Sequence, residues 1–212
     1  MSMETYFPCC GKSICGGCIH SFRMSGNDEK CPFCNAMTGG KTNNKINEEL
    51  MKRVEANDAF SMMVLGNNYY HGDLGLLQDR ERAIELWKQA AALGSSMAHF
   101  HLGDEYREGG DSKKAKFHYE AAAMAGDEVA RNYLGTMVAQ SGNMERAVKH
   151  WMISASAGSY KAMHNLLVGS KLGYVSRESI ISILTAYNNS CLEMRSEARD
   201  KYISAVLTYV VN

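Results

Sequence analysis

Proline is nearly absent: the only two, Pro8 and Pro32, fall in the first 35 positions of a 212-residue chain. Beyond Asn35 every backbone N–H is available for hydrogen bonding, as an array of helices prefers. An excess of either charge is also lacking. Lys+Arg and Asp+Glu both number 23, so no global field draws the chain toward nucleic acid or anionic lipid. No apolar run reaches the roughly 18 residues that a membrane span needs, and 203–211 is far too short. The start, Met1-Ser2-Met3-Glu4-Thr5, has neither the basic residues nor the apolar stretch of an export signal. The expectation is an intracellular protein, cytoplasmic or nuclear, with no membrane or nucleic-acid partner. What remains is 45% hydrophobic and 22% charged, the balance of a globular chain able to bury a core.

Cysteine is unevenly placed. Six of seven (Cys9, Cys10, Cys15, Cys18, Cys31 and Cys34) precede position 35, and only Cys191 stands elsewhere. Without an export signal a disulfide scaffold is disfavoured, and paired C-x-x-C spacing points to metal. Thiolates from such pairs suit a tetrahedral zinc, with Zn–S near 2.3 Å. Residues 1–36 are therefore expected to form a small zinc-binding module with these six cysteines as candidate ligands. Lys12 and Lys30 can offset part of the thiolate charge. Thirty-five residues bury too little apolar surface to fold unaided, so metal binding must supply the drive.

Behind a polar, glycine-containing stretch at 37–46 the chain repeats itself. Leu65-Gly66, Leu102-Gly103 and Leu134-Gly135 recur at spacings of 37 and 32. Gly94, Gly126 and Gly158 close small-residue runs that recur every 32. Eleven residues before each glycine stands Ala83, Ala115 or Ala147; four after each alanine comes Trp87, Tyr119 or Trp151. Four before each alanine stands Asp79, Asp111 or Asn143, all helix-capping types. One unit reads as two helices. The first carries a leucine stripe and a glycine that lets its partner approach; the second carries alanines and one large ring. The closing glycine supplies a left-handed C-terminal turn. A single hairpin cannot bury its apolar face, so several must stack. The first unit is longer by five residues around its turn, HGDLGLLQD.

These marks resemble Sel1-like repeats, relatives of tetratricopeptide repeats, across 57–187. The resemblance implies an all-α, right-handed solenoid of helix hairpins behind the zinc-finger-like module. Its parts are a linker and short leading helix at 37–56, and repeats at 57–94, 95–126, 127–158 and 159–188. A C-terminal capping helix follows at 189–212. It also implies a scaffold that binds other proteins, with no chemistry of its own. In tetratricopeptide-like stacks the first helices form the concave wall, which makes Asn68, His71, Asp104, Arg107, Glu108, Arg131 and Gln140 the candidate partner-binding residues.

The cysteine segment in turn resembles the second half of a RING finger. Cys10 fits the third ligand, Cys15 and Cys18 the fifth and sixth, and Cys31-Pro32-Phe33-Cys34 the last pair. Lys12 stands where that family has histidine, so Cys9 would have to serve instead. The first C-x-x-C pair has no counterpart, and Asn35 stands where a basic residue often follows. A single zinc on Cys15, Cys18, Cys31 and Cys34 is the other arrangement. The resemblance implies a RING-type E3 ubiquitin ligase as the alternative function. It would position a ubiquitin-conjugating enzyme against Ile14, Pro32 and Phe33, while the repeats select the substrate. A structural repeat protein with a vestigial finger is the third reading.

The remaining chemistry is bland. His118 and His150 share one repeat position and read as packing residues; His99 and His101 lie on opposite sides of a helix. The 14 methionines are spread along the helices as core filler, and Cys191 reads as a buried free thiol. No phosphate-cradling glycine loop, nucleophile elbow or H-E-x-x-H is present. The sequence offers no catalytic constellation.

Overall fold

The computed structural model describes residues 4–193, with the backbone alone at 4, 13, 15–17 and 190–193. The described chain divides into two compact units, 4–90 and 91–193. The first unit opens with the only sheet among the described residues. Strand β1 (Glu4–Phe7) pairs antiparallel with β2 (Lys12–Cys15), Phe7 opposite Lys12, and the turn between them holds Cys9 and Cys10. A short helix, α1 (Gly16–Phe22), follows. A loop then leads to an isolated bridge between Lys30 and Met37 that brackets Cys31 and Cys34. The apolar core here is small: Phe7, Ile19 and Cys31 are buried, with Ile14 and Phe22 packed against them.

Helix α2 (Asn43–Glu55) starts three residues before the end of the polar stretch that reads as linker, because the Thr42 side chain caps it by accepting from Lys45 N. Helix α3 (Ala59–His71) is capped by Asp58, whose Oδ1 accepts from the N–H groups of Phe60 and Ser61. Helix α4 (Arg80–Ala92) completes the first hairpin, with Asp79 accepting from Arg82 N.

In the second unit six helices follow one rule. They are α5 (Ser96–Glu108), α6 (Ser112–Met124), α7 (Glu128–Gln140), α8 (Met144–Ser156), α9 (Tyr160–Lys171) and α10 (Arg177–Glu193). Asp111 and Asn143 cap α6 and α8 as their spacing predicts. Ser95, Asp127 and Ser159 cap the first helices of the hairpins, a parallel set of caps one step along the repeat. Gly94, Gly126 and Gly158 all take left-handed φ between +88° and +93°, a conformation that costs other residues energy.

The packing explains the Leu-Gly signature. Leu65, Leu102 and Leu134 are buried, as are Trp87, Tyr119 and Trp151. Each ring packs against the glycine of its own hairpin. A Cβ on Gly66, Gly103 or Gly135 would sit 2.6–2.7 Å from the ring of Trp87, Tyr119 or Trp151 respectively. The Tyr119 ring also stacks on Tyr133 of the next hairpin, 5.3 Å between centroids and 7° from parallel. The fourth hairpin keeps Leu166 but has no such ring; Val175 faces Gly169 and Ile183 is buried in the same core. No strand occurs among the described residues of 37–193. The capping helix expected at 189–212 lies outside the described residues beyond position 193, as does the Cys191 side chain.

Candidate metal centre

Two tight turns bring four thiols together. In the first, Cys10 and Gly11 both donate their backbone N–H to the Phe7 carbonyl, which folds Cys9 and Cys10 inward. In the second, Cys31 N donates to Ala36 O and Asn35 N to Cys31 O, with Asn35 in the left-handed region at φ +58°. The four sulfurs of Cys9, Cys10, Cys31 and Cys34 all lie within 4.8 Å of one another. Cys10 Sγ is 3.6 Å from Cys31 Sγ, and Cys34 Sγ is 3.5 Å from Cys9 Sγ. Four sulfurs about 2.3 Å from one zinc stand roughly 3.8 Å apart along the tetrahedral edges. The donor set and its spacing therefore fit a single tetrathiolate ion.

The protonation of this group is set by its surroundings. Burial pushes the Cys31 thiol up, but backbone N–H groups of Cys34 and Phe33 point at its sulfur, and with the neighbouring thiols they bring it down to about 7. Cys9 and Cys10 go the other way. Burial raises both, and hydrogen bonds with neighbouring thiols add to it (Cys34 and Cys31 for Cys9, Cys31 for Cys10); the Lys12 N–H partly opposes this at Cys10. A dication held by these four cysteines would favour the thiolate form of each of them.

The centre is anchored from behind. Arg53 of α2 donates from Nε to the Pro8 carbonyl at 2.9 Å and from Nη2 to the Cys9 carbonyl at 3.2 Å. Tyr6 of β1 donates to Asp58 Oδ2 at 3.2 Å, hydrogen-bonds the buried Ser61 hydroxyl and packs on Phe60 at 4.7 Å. Burial, together with the Asp58 carboxylate, pushes the Tyr6 phenol up to about 12. Gly11 takes a left-handed φ of +69°, which a side chain would strain, and a Cβ there would also approach Arg53 Nη1 and Asp58 Oδ2. Arg53 was not among the sequence candidates, since a lone arginine in an amphipathic helix carries no mark of its distant partner.

The other sequence candidates are dispersed. Cys18 is exposed on α1 and does not join the four-thiol group; the side chain of Cys15 lies outside the described residues. Ile14 packs into the module's core, Pro32 is half-buried, and Phe33 is exposed with Lys12 Nζ 5.5 Å above its ring. Asp104 and Arg107 close on each other and on Tyr119. Arg107 donates to Asp104 Oδ1 at 2.9 and 3.1 Å, and the Tyr119 hydroxyl donates to the same oxygen at 2.7 Å. Glu108 lies 3.6 Å from Arg107, and Arg131 donates to the Ala123 carbonyl at 2.5 Å, closing the end of α6. His71 and Gln140 are exposed at helix ends. Asn68 keeps a buried amide nitrogen with no partner.

One contact between histidines escaped the sequence. His99 Nδ1 faces His118 Nδ1 at 3.0 Å, and the His118 ring stacks on Tyr106 at 5.4 Å. The 19-residue separation follows from the hairpin, which no local pattern announces.

Comparison with known proteins agrees with this architecture. The Sel1 repeat family model matches residues 59–95 and 96–127. The chain is similar to a Sel1 repeat protein from Oxalobacter formigenes, with a TM-score of 0.62 at 21% identity over 82% of this chain and 72% of that one. It is also similar to a protective antigen of uropathogenic Escherichia coli strains that displays an SLR fold, with a TM-score of 0.59 at 19% identity over 92% of this chain. The chain spans 44% of that antigen's length. No curated protein matches the chain. No family match covers the cysteine-bearing segment. No helix among the described residues is long and apolar enough to cross a membrane.

Proposed function

We propose that this chain, which carries Sel1 repeats over 59–127, is an interaction scaffold whose N-terminal module folds around one zinc ion. Sel1 repeats generally mediate protein–protein interaction. The observation that carries the reading is the union of such hairpins with a four-thiol cluster in which the protein fills every tetrahedral position. A closed site of that kind is structural, because no corner is left for water or substrate. Arg53 and Asp58 then join the module to α2 and α3, so the ion supports the first hairpin and not a reaction.

The RING-type ligase reading would use Pro32 and Phe33 as the outward contact for a ubiquitin-conjugating enzyme. A RING rests on two metal sites, whereas one four-thiol group is found among the described residues. The scaffold reading is the one the geometry supports better.

Two measurements test it. Elemental analysis of chain purified without chelator should return about one zinc per chain, and less than a tenth of an equivalent would end the metal reading. Proteins cross-linked to the chain in its own cells should include at least one that binds the purified chain directly by calorimetry. If none does, the scaffold reading fails.

A further inference from the structure

The turn of the first repeat is five residues longer than its counterparts. The structure shows what the longer turn builds. Gly72 ends α3 with a left-handed φ of +74°, and Leu74 follows in the left-handed region at φ +53°. That conformation is costly for a leucine and persists only where the surroundings hold it. The buried Asn47 of α2 does so, donating from Nδ2 to the Leu74 carbonyl at 3.1 Å. The result is a pocket of about 420 Å³ with an apolar lining from Pro8, Ile46, Leu50, Val64 and Leu74.

Three polar side chains line it: the Tyr6 hydroxyl is taken up by Asp58 and Ser61, while Asn68 Nδ2 and the Asp73 carboxylate have no partner among the described residues. Asn68 Nδ2 is buried and makes no hydrogen bond. Leaving such a donor unpaired costs about 1–3 kcal/mol, so the amide is poised for an acceptor. Asp73 lines the same pocket at its exposed lip, with its carboxylate in no ion pair among the described residues. It stands just past the C-terminus of α3, where the helix dipole also favours a cation.

An apolar body, a hydrogen-bond acceptor and a cation define the occupant. The first residue of a peptide supplies all three within one residue: an aliphatic side chain, a carbonyl and a free α-ammonium. We infer that this pocket binds the N-terminal aliphatic residue of a partner polypeptide, its carbonyl accepting from Asn68 and its ammonium facing Asp73. The inference rests on the scaffold reading and names one feature of the partner.

The test is titration of the full chain, zinc-loaded where it takes up zinc, with the tripeptide Leu-Ala-Ala amide, followed by the Asn68 side-chain resonances in ¹⁵N NMR. Binding should shift the Asn68 NH₂ pair. N-acetylation of the peptide should weaken it about fivefold or more, as loss of a charge-assisted contact implies. Asp73→Asn, at an exposed position, should weaken it about twofold to fivefold. Asn68→Leu should weaken it about threefold to tenfold. Equal binding of acetylated and free peptide would overturn the proposal, as would an unmoved Asn68 amide at millimolar peptide. Leucine amide binding as tightly as the tripeptide would overturn a polypeptide as the occupant. A partner protein captured equally by wild type and Asp73→Asn would leave the scaffold reading standing while removing the pocket; peptide binding with no partner protein would do the reverse.

Discussion

The cysteine-bearing module and the hairpins behind it solve the same problem with opposite means. The module buries three core residues, one of them Cys31, and depends on thiols drawn from two turns. The hairpins rest on side-chain packing, and their core is redundant: a fully buried alanine stands at 83, 115 and 147, with a ring against a glycine in each. A ligand-built core fails all at once when its ligand is removed. A repeated core fails one hairpin at a time.

The largest effect should therefore come from the metal. Structural zinc contributes roughly 10–16 kcal/mol in small modules. Chelation, or Cys31→Ser, should abolish protection of β1, β2 and the α2 contact of Arg53 in hydrogen exchange. Helices α5–α9 should keep their far-ultraviolet signal. Loss of helix throughout the second unit on chelation would break the comparison.

Next comes the ring. Trp151→Ala should cost about 3–5 kcal/mol by cavity formation, read by chemical denaturation. Gly135→Ala acts on the same contact from the other side, and forcing a Cβ against the indole should cost about 1–3 kcal/mol. Wild-type stability in Gly135→Ala would show that the ring can move aside.

A pH effect is expected in the hairpins. Burial lowers the pKa of His99, a backbone contact of Ala91 partly opposing it. Burial and the charges of Arg131, Arg146 and Lys116 lower that of His150, against Glu120. Both are held neutral in the fold, so the unfolded chain binds protons first as pH drops. Their contribution is intact above the ordinary histidine value, about 6.5, and is lost as pH falls below it. A second charge on the His99–His118 pair adds repulsion at 3.0 Å. Denaturation at pH 7.5 and pH 5 should show this loss in wild type and a smaller one in His99→Phe.

The smallest effect sharpens the comparison among the hairpins themselves. Trp87 donates from Nε1 to Asn67 Oδ1 at 3.0 Å, and the Tyr119 hydroxyl to Asp104 at 2.7 Å. The matching position before Trp151 is Thr136, whose hydroxyl donates to Asn132 O, and Trp151 Nε1 has no partner. Thr136→Asn should satisfy it and raise stability by about 0.5–1.5 kcal/mol, seen as a higher denaturation midpoint.

Much of the repeat was legible because each of its parts is local. Capping aspartates act over three residues, a left-handed glycine acts at its own bond, and a leucine stripe follows the helical period. The candidate partner surface was legible only as positions. Asp104, Arg107 and Arg131 sit on the first helices where the register places them, but the hydroxyl of Tyr119 and the carbonyl of Ala123 engage them. Polar side chains on a solvent-facing stripe turn inward when a neighbour offers a better partner than water, and periodicity carries no record of that neighbour.

The sequence by itself determined the helical hairpins, their caps and turns, and the presence of a thiol-rich module, since spacing along the chain encodes all of these. Tertiary structure alone decided which cysteines meet. Cys9 and Cys10 join Cys31 and Cys34 because a β-turn and a left-handed Asn35 aim four sulfurs at one point, with Arg53 holding the turn from a helix more than forty residues on. It likewise decided that the longer first turn walls a pocket. The reason is the same in both cases: distance in space between residues far apart in sequence is set by packing, and the spacing of residue types along the chain does not contain it.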